Sequence, residues 1–214
     1  MTAASRSETL KAGNIKWLVM MAMLDAGAIF LFVAPGLVRA DSFTALRASL
    51  APVLPVAVLI LNGLLSHEAK ARLVYWKFAN PLPGSEAFTR HALADARIDM
   101  AALKRNVGVL PSDPQEQNAK WYKLYRRVSR DPAVAEAHKL YLLYRDMAGI
   151  SIMLIPLVPA SLFFAGSSGI ACAAAAALFA AQYLVCAIAA RHSGVRFVTN
   201  VLAIHATRRV AASS

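Results

Sequence analysis

The fold class is decided by residues 147–190, which read MAGISIMLIPLVPASLFFAGSSGIACAAAAALFAAQYLVCAIAA and contain no charged side chain. A helix needs about 20 apolar residues to cross the hydrocarbon core of a bilayer, so this stretch is long enough for two crossings. The sequence GSSG at 166–169 lies in its middle and is typical of a turn. The stretch therefore predicts a hairpin of two transmembrane helices, at 147–165 and 170–190.

Two further apolar stretches lie nearer the N-terminus, at 17–38 and 48–65. The first contains a single charged residue, Asp25, and the second contains none. Together they predict a first transmembrane hairpin over residues 17–66. The predicted fold class is thus an all-α membrane protein with four transmembrane helices in two hairpins, and with a small helical cytoplasmic domain inserted between spans 2 and 3.

The placement of charge predicts the orientation of these spans. The 214 residues include 23 lysines and arginines, and the net charge is +11. The N-terminal tail (1–16), the central segment (67–146) and the C-terminal tail (191–214) hold 21 of these 23 basic residues. Because basic loops are retained on the cytoplasmic side, we expect a multi-pass protein of the cell inner membrane with both termini in the cytoplasm. Nucleic acid is a weaker interpretation of the same charge, because topology already explains where the basic residues lie.

The start of the chain leaves one alternative open. Val38-Arg39-Ala40 resembles the cleavage site of a signal peptide, and Lys11 and Lys16 resemble its basic region. The apolar stretch is longer than a signal-peptide core and carries an aspartate. We therefore expect it to remain as a span, and cleavage would still leave the central segment in the cytoplasm.

The central segment predicts helices and turns. Asp113-Pro114-Gln115-Glu116 combines an N-cap, a proline at the first helical position and a capping-box glutamate. Asp131-Pro132 repeats the first two signals, and we expect its helix to run into the third span. The second span is expected to continue as a helix to about Phe78.

The helix that begins at Pro114 carries an apolar stripe bordered by basic residues. Burial of the stripe in the domain core is the favoured interpretation. A helix lying on anionic lipids of the inner leaflet, and a surface that binds nucleic acid or nucleotide, are the alternatives. The residues of this candidate surface are Lys120, Trp121, Lys123, Tyr125, Arg127 and Arg130. A similar stripe at 195–210 predicts a short helix that lies at the membrane interface or packs under the central domain.

Asp25 is the most informative polar residue. A carboxylate near the middle of a span costs roughly 2.5–3.5 kcal/mol on insertion scales, so it normally faces other helices or a wet cavity. Proton or cation handling is one interpretation, and a carboxyl group that joins helices by hydrogen bonding is the other. Asn62 and Gln182 are its candidate partners within the membrane.

A second polar group is expected at the cytoplasmic mouth of the spans. His67 and Glu68 follow the second span, and Arg145 and Asp146 precede the third, so the two pairs should lie at a similar depth. We expect them to form an ion-pair cluster, with a gate as the alternative.

The sequence contains no complete catalytic motif. It has no phosphate-binding glycine loop, serine nucleophile motif or zinc motif. His91, Asp95, Arg97 and Asp99 lie close together along the chain, but this spacing is common and is weak evidence for acid–base chemistry. Cys172 and Cys186 would lie about four helical turns apart, too far to bridge each other. We therefore expect no cofactor and no metal, and the sequence favours a protein that is not an enzyme.

Two functions compete on this basis. The first is an oligomeric regulatory or effector protein whose cytoplasmic domain senses a ligand or a protein partner, as in bacterial stress or phage defence. The second is a small channel or transporter for protons or ions that uses Asp25, and a lipid-modifying enzyme ranks third. The bilayer and its anionic inner-leaflet lipids are expected partners. The alanine-rich fourth span predicts close helix packing and a homo-oligomer.

Overall fold

The computed structural model describes the backbone of residues 3–37 and 50–208, and the side chains of 13–34, 50 and 52–208. Within these ranges the chain forms helices and turns, without a β-strand. The all-helical prediction is therefore confirmed. The loop residues Arg39 and Arg47, the motif beginning at Val38 and the tail beyond Arg208 lie outside the described residues.

Among the described residues, three helices are long and apolar enough to cross a membrane. They are helix α1 (Ala3–Leu37), whose apolar part is Gly13–Ala34, and the two longest helices of the C-terminal half, Pro132–Phe164 and Gly169–Thr207. The predicted turn separates the last two, and Gly166 adopts a φ of 78° there. Helix α2 (Leu54–Leu64) is apolar but has 11 residues, which at about 1.5 Å per residue covers roughly half of a bilayer core.

Shorter helices fill the segment between α2 and Pro132. They are α3 (His67–Tyr75), a 3₁₀ turn (Pro83–Glu86), a π turn (Ala87–His91), α4 (Ala92–Ala94), α5 (Met100–Val107) and α6 (Pro114–Val128). Aspartate caps begin three of the later helices. The Asp113 carboxylate accepts hydrogen bonds from Gln115 N and Glu116 N. Asp99 caps α5 in the same way, and Asp131 Oδ1 accepts from Ala133 N at the start of α7 (Pro132–Phe164).

Two predicted helix boundaries differ from the structure. The second span does not continue to Phe78, because the chain is extended at Leu65 and Ser66 Oγ accepts a hydrogen bond from Ala69 N, which starts α3 as a new helix. The separate short helix predicted for 195–210 is not found. Helix α8 (Gly169–Thr207) continues through residues 195–207, and no proline or glycine pair interrupts it there.

The chain divides into two compact units. The first, called the domain unit here, comprises Met1–Ala12, Ala71–Leu142 and Ala189–Ser214. The second, called the span unit, comprises Gly13–Lys70 and Leu143–Ile188. Helices α7 and α8 have residues in both units.

Each unit has its own hydrophobic core. In the span unit, buried side chains of α1, α7 and α8 pack together, among them Ile29, Ile150, Leu154 and Phe179. In the domain unit the core forms around Phe197, whose ring meets Trp121 and Tyr125 edge-on, with centroids 5.0 Å apart in both cases. The apolar stripe at the C-terminus therefore packs inside the domain unit, which was the second of its two predicted placements.

Candidate functional site

The structure brings Asp25 and Gln182 together inside the span unit. The Asp25 side chain lies on α1 and is 4% exposed. Gln182 Nε2, on α8, donates to Asp25 Oδ2 at 3.3 Å and to Ser151 Oγ, on α7, at 3.1 Å. Ser151 in turn donates to the carbonyl oxygen of Met147 at 2.9 Å. One amide therefore joins polar side chains of all three long apolar helices.

Asn62 does not join this chain of hydrogen bonds. Its side-chain oxygen lies against Gly149, is buried, and has no hydrogen-bond partner among the described residues. An unpaired buried polar atom costs about 1–3 kcal/mol. Of the two partners predicted for Asp25, the structure thus places Gln182 in contact with it and Asn62 elsewhere.

A buried ion-pair network lies at the start of α3 and in α7. Asp146 Oδ1 accepts hydrogen bonds from Lys70 Nζ at 3.0 Å and from Arg145 Nη2 at 2.9 Å. Arg145 Nη1 lies 2.8 Å from His67 Nδ1, so that ring nitrogen acts as the acceptor. His67, Arg145 and Asp146, which were predicted for the mouth cluster, meet here with Lys70. The fourth predicted residue, Glu68, has an exposed side chain on α3. The pattern of the sequence did not single out Lys70, although its position one turn after His67 places it on the same helix face.

The predicted basic and aromatic surface on α6 is divided by the structure. Trp121 and Tyr125 face the core of the domain unit and are buried. Lys123, Arg127 and Arg130 remain exposed, and Lys120 donates to the carbonyl oxygen of Val109. The two aromatic rings are therefore not available to a membrane or to nucleic acid, and the basic residues form a charged surface without them.

A cleft of about 160 Å³ lies in the domain unit beside α3 and α8. Its lining contains three basic side chains, Lys77, Arg90 and Arg191, and one acidic side chain, Glu86. Lys77 and Arg90 both form ion pairs with Glu86, the second at 3.0 Å. Partial burial acts to raise the pKa of Glu86, but hydrogen bonds from Lys77 and Arg90 outweigh it and hold this pKa below its usual value. The cleft therefore keeps an excess of positive charge near neutral pH.

Arg191 is held rigidly at the wall of the cleft. Its Nε donates to the carbonyl oxygen of Val74, and its guanidinium lies over the ring of Trp76, 3.5 Å from the centroid. Its Nη2 is buried and has no hydrogen-bond partner within the described part of the chain. Trp76 itself adopts a φ of 54°, a conformation that bulky residues rarely adopt. The backbone at the end of α3 is thus strained where it receives Arg191.

Tyr75 supplies a second unpaired group in the same cleft. Its hydroxyl is buried and lacks a hydrogen-bond partner among the residues described. Burial raises the pKa of Tyr75 well above its usual value, so the hydroxyl keeps its proton and acts as a donor. The hydroxyl lies directly against Gly194 of α8, where any Cβ atom would overlap it. The glycine is therefore required for the approach of Tyr75 to α8.

The remaining acid–base candidates separate in the structure. His91 lines the cleft, and burial lowers its pKa, so the imidazole is neutral near pH 7. The Asp95 carboxylate accepts three hydrogen bonds from Arg97, two of them from its guanidinium. Arg97 also donates to Thr199 and Asn200 of α8, and Asp99 caps α5. The four residues thus take three different roles. Within the part of the chain that the structure describes, no group of three or more His, Cys, Asp or Glu is arranged to hold a metal ion.

Sequence patterns did not identify Tyr75, Lys77 or Arg191 as site residues. Arg191 is the first charged residue after the long apolar run, and in the sequence this position indicates topology alone. Comparisons with known proteins add no assignment, since no protein-family model, no curated protein and no solved structure matches the chain. The function is therefore inferred from the geometry of the cleft and of the span unit.

Proposed function

We propose that this chain is a multi-pass protein of the bacterial cell inner membrane with a non-enzymatic regulatory or effector function. In this proposal the domain unit recognises a ligand in the cytoplasm and the span unit responds, in a stress or phage-defence role. The observation that carries the proposal is the positively charged cleft, in which two buried donors, Tyr75 and Arg191, have no hydrogen-bond partner among the described residues. Buried polar groups are normally paired, so such donors indicate a site for a ligand.

Helix α8 supports a response in the membrane. Arg191 at the cleft and Gln182 in the Asp25 cluster belong to this one continuous helix. A ligand that binds Arg191 therefore acts on a helix that also carries intramembrane hydrogen bonds. A change in the position of α8 on binding would alter the packing of the span unit and, in the proposal, its permeability.

The composition of the domain unit supports four spans with both termini in the cytoplasm. Met1–Ala12, Ala71–Leu142 and Ala189–Ser214 belong to this one unit, which supports placing them on the same side of the membrane. Helices α7 and α8 leave and return across the bilayer as a pair. In the proposal the apolar part of α1 crosses once, and a return crossing lies between residues 38 and 66. Helix α2 is the apolar segment described in that interval.

This topology is tested by protease accessibility. In intact cells, protease added outside should leave the exposed basic surface of α6 uncut, and it should cut near Lys120 in inverted membrane vesicles. Cleavage near Lys120 in intact cells would show that the domain unit lies outside and would contradict the proposed orientation.

The proposed function is tested in bacterial cells that produce the full chain. Membrane potential and survival are followed during phage infection and envelope stress. Wild type and Arg196→Gln, an exposed control on the same helix, should give a response that Arg191→Gln lacks at an equal amount of membrane-inserted protein. The proposal fails if no challenge produces a response, or if Arg191→Gln responds as wild type does.

A homo-oligomer is part of the proposal. Several alanines of α8 are exposed at the surface of the span unit: Ala173, Ala174, Ala177 and Ala181. Small exposed residues on a membrane helix let another helix approach closely. The mass of the protein in detergent, corrected for bound detergent, should be a multiple of 23.0 kDa that corresponds to two or more chains. A particle of one chain would contradict this part.

A small proton or ion channel or transporter is the second candidate, and the Asp25 cluster favours it. The hydrogen-bonded series Asp25, Gln182 and Ser151 places ionisable and polar groups inside an apolar unit. If this series conducts, Asp25→Asn should abolish flux in liposomes while expression and oligomer size stay unchanged. Normal flux in Asp25→Asn removes this candidate.

A further inference from the structure

We propose that the cleft lined by Tyr75, Lys77, Arg90 and Arg191 binds the phosphate group of a phosphomonoester. The proposal names the ligand class of the cleft and rests on the proposed function only for the consequence of binding. It commits to the chemistry of the bound group, which a soluble phosphorylated molecule or the headgroup of an anionic lipid could supply.

The two unpaired groups determine what the ligand must offer. Tyr75 contributes a protonated hydroxyl, and Arg191 contributes an N–H of its guanidinium; both are donors, and both are buried. A ligand that satisfies both of them must present at least two acceptor oxygens. An oxyanion has this property, whereas an ammonium group or an apolar molecule offers no acceptor to the Arg191 guanidinium.

The charge of the lining selects a dianion. Lys77, Arg90 and Arg191 carry three positive charges, and Glu86 carries one negative charge. His91 adds none near neutral pH, because burial disfavours its protonated form. The excess of two positive charges matches a phosphomonoester, which carries about −1.5 to −2 at pH 7. A carboxylate would neutralise only half of this excess.

The donors are fixed before a ligand arrives. The Arg191 side chain is held by the Val74 carbonyl group and by the Trp76 ring, and the Tyr75 hydroxyl is held against Gly194. Such prior ordering lowers the entropy that binding would otherwise cost. Surface arginines and lysines without these contacts would have to be ordered by the ligand itself, so the cleft is a built site.

The size of the cleft limits how much of the ligand it can enclose. A volume of about 160 Å³ takes a group of several non-hydrogen atoms, such as a phosphate. The substituent of the phosphate would then lie outside the cleft. Trp76, which is 53% exposed, and Phe78, which is 90% exposed, lie on the segment that borders it and offer apolar contacts to that substituent.

The test uses the full chain in nanodiscs of zwitterionic lipid, with inorganic phosphate and phenyl phosphate as probes in titration calorimetry. We expect saturable binding, tighter for phenyl phosphate. Arg191→Gln should weaken it about 10–100-fold, as for a lost hydrogen bond to a charged group, and Tyr75→Phe about 2–10-fold. Arg196→Gln makes the same change of charge on an exposed site of α8 and should bind as wild type does.

A second measurement separates a ligand site from a site filled by water alone. In phosphate-free buffer, Tyr75→Phe removes an unpaired buried hydroxyl and should melt at a higher temperature than wild type. Added phosphate should then raise the melting temperature of wild type more than that of Tyr75→Phe. If Tyr75→Phe melts lower and phosphate changes neither protein, the hydroxyl is bonded to water and the proposal is wrong.

A third measurement distinguishes a lipid headgroup from a soluble phosphomonoester as the natural ligand. Nanodiscs that contain phosphatidic acid should compete with phenyl phosphate if the headgroup reaches the cleft, and should leave its affinity unchanged if the ligand is soluble. Equal weakening by Arg191→Gln and Arg196→Gln would indicate non-specific ionic binding and would overturn the site. Specific binding without any membrane response would instead contradict the proposed function and leave the site standing.

Discussion

Replacing Gln117 with leucine should destabilise the domain unit and loosen one wall of the cleft. Gln117 lies on α6 and is 1% exposed. Its Oε1 accepts from Phe88 N at 3.0 Å and from Thr89 N at 3.2 Å, and its Nε2 donates to the carbonyl oxygen of Ser112 at 2.8 Å. One amide thus fixes the turns over Pro83–His91, which carry Glu86, Arg90 and His91 of the cleft.

The size of the loss in the free energy of unfolding depends on which of these groups water can reach in the variant. Phe88 is buried, so its N–H would be left unpaired at a cost of about 1–3 kcal/mol. Thr89 and Ser112 are exposed and can bond to water instead, so each lost bond costs about 0.5–1.5 kcal/mol. The buried leucine side chain offsets part of the total. We expect a net loss of roughly 2–4 kcal/mol in the free energy of unfolding.

The assay is equilibrium denaturation in detergent, followed by tryptophan fluorescence, because Trp121 is buried one turn further along α6. Gln115→Leu makes the same chemical change at an exposed position of the same helix and should leave the unfolding midpoint within experimental error. If Gln117→Leu unfolds at the wild-type midpoint, or if both variants lose the same stability, the reasoning from buried hydrogen bonds is refuted.

Three further outcomes are expected. Gly84→Ala should lower the free energy of unfolding by about 1–3 kcal/mol, because the added Cβ would lie 2.5 Å from Asn118 Oδ1 and 2.7 Å from Trp121 Cε3. The Cβ of the control variant Gly27→Ala would meet nothing within 4 Å, so this variant should lose no stability. Thermal melts of both variants test the prediction. Hydrogen bonds from Arg97 hold the pKa of Asp95 well below its usual value, so this pair stabilises the fold above about pH 4. Its contribution falls as acid protonates Asp95, so the melting temperature should fall less steeply with decreasing pH for Asp95→Asn than for wild type. Parallel curves of melting temperature against pH would contradict this reasoning. A small maleimide should modify the half-buried Cys172 faster than the buried Cys186. Mass spectrometry on the two single-cysteine variants measures the two rates, and equal rates would contradict the packing of α8.

The sequence predicted the elements that depend on local patterns. The uncharged run at 147–190 and its GSSG turn gave two of the long helices, and the Asp-Pro pairs at 113 and 131 gave the starts of α6 and α7. The apolar stripe of α6 is buried as its helical spacing indicated. These features are set by neighbours in the chain, so no knowledge of the tertiary structure was needed to find them.

The features that the sequence did not predict depend on contacts between distant segments. Arg191 and Trp76 meet because α3 and α8 pack together, and no residue spacing within either helix predicts this contact. For the same reason, the sequence alone does not predict which of Gln182 and Asn62 contacts Asp25. The continuity of α8 beyond position 190 is not predicted, because the charged residues that begin there resemble the start of a separate element.

The bond between Gln182 and Asp25 has a consequence for biogenesis. The two residues lie 157 positions apart, so a ribosome releases α1 into the membrane long before the amide that pairs with its carboxylate exists. During that interval α1 carries an uncompensated acidic group, so it should be a weaker membrane anchor than in the complete chain. Stable integration of the first helix is therefore expected to wait for the last one, and chains truncated before Gly169 should be extracted from membranes by alkali more readily than complete chains.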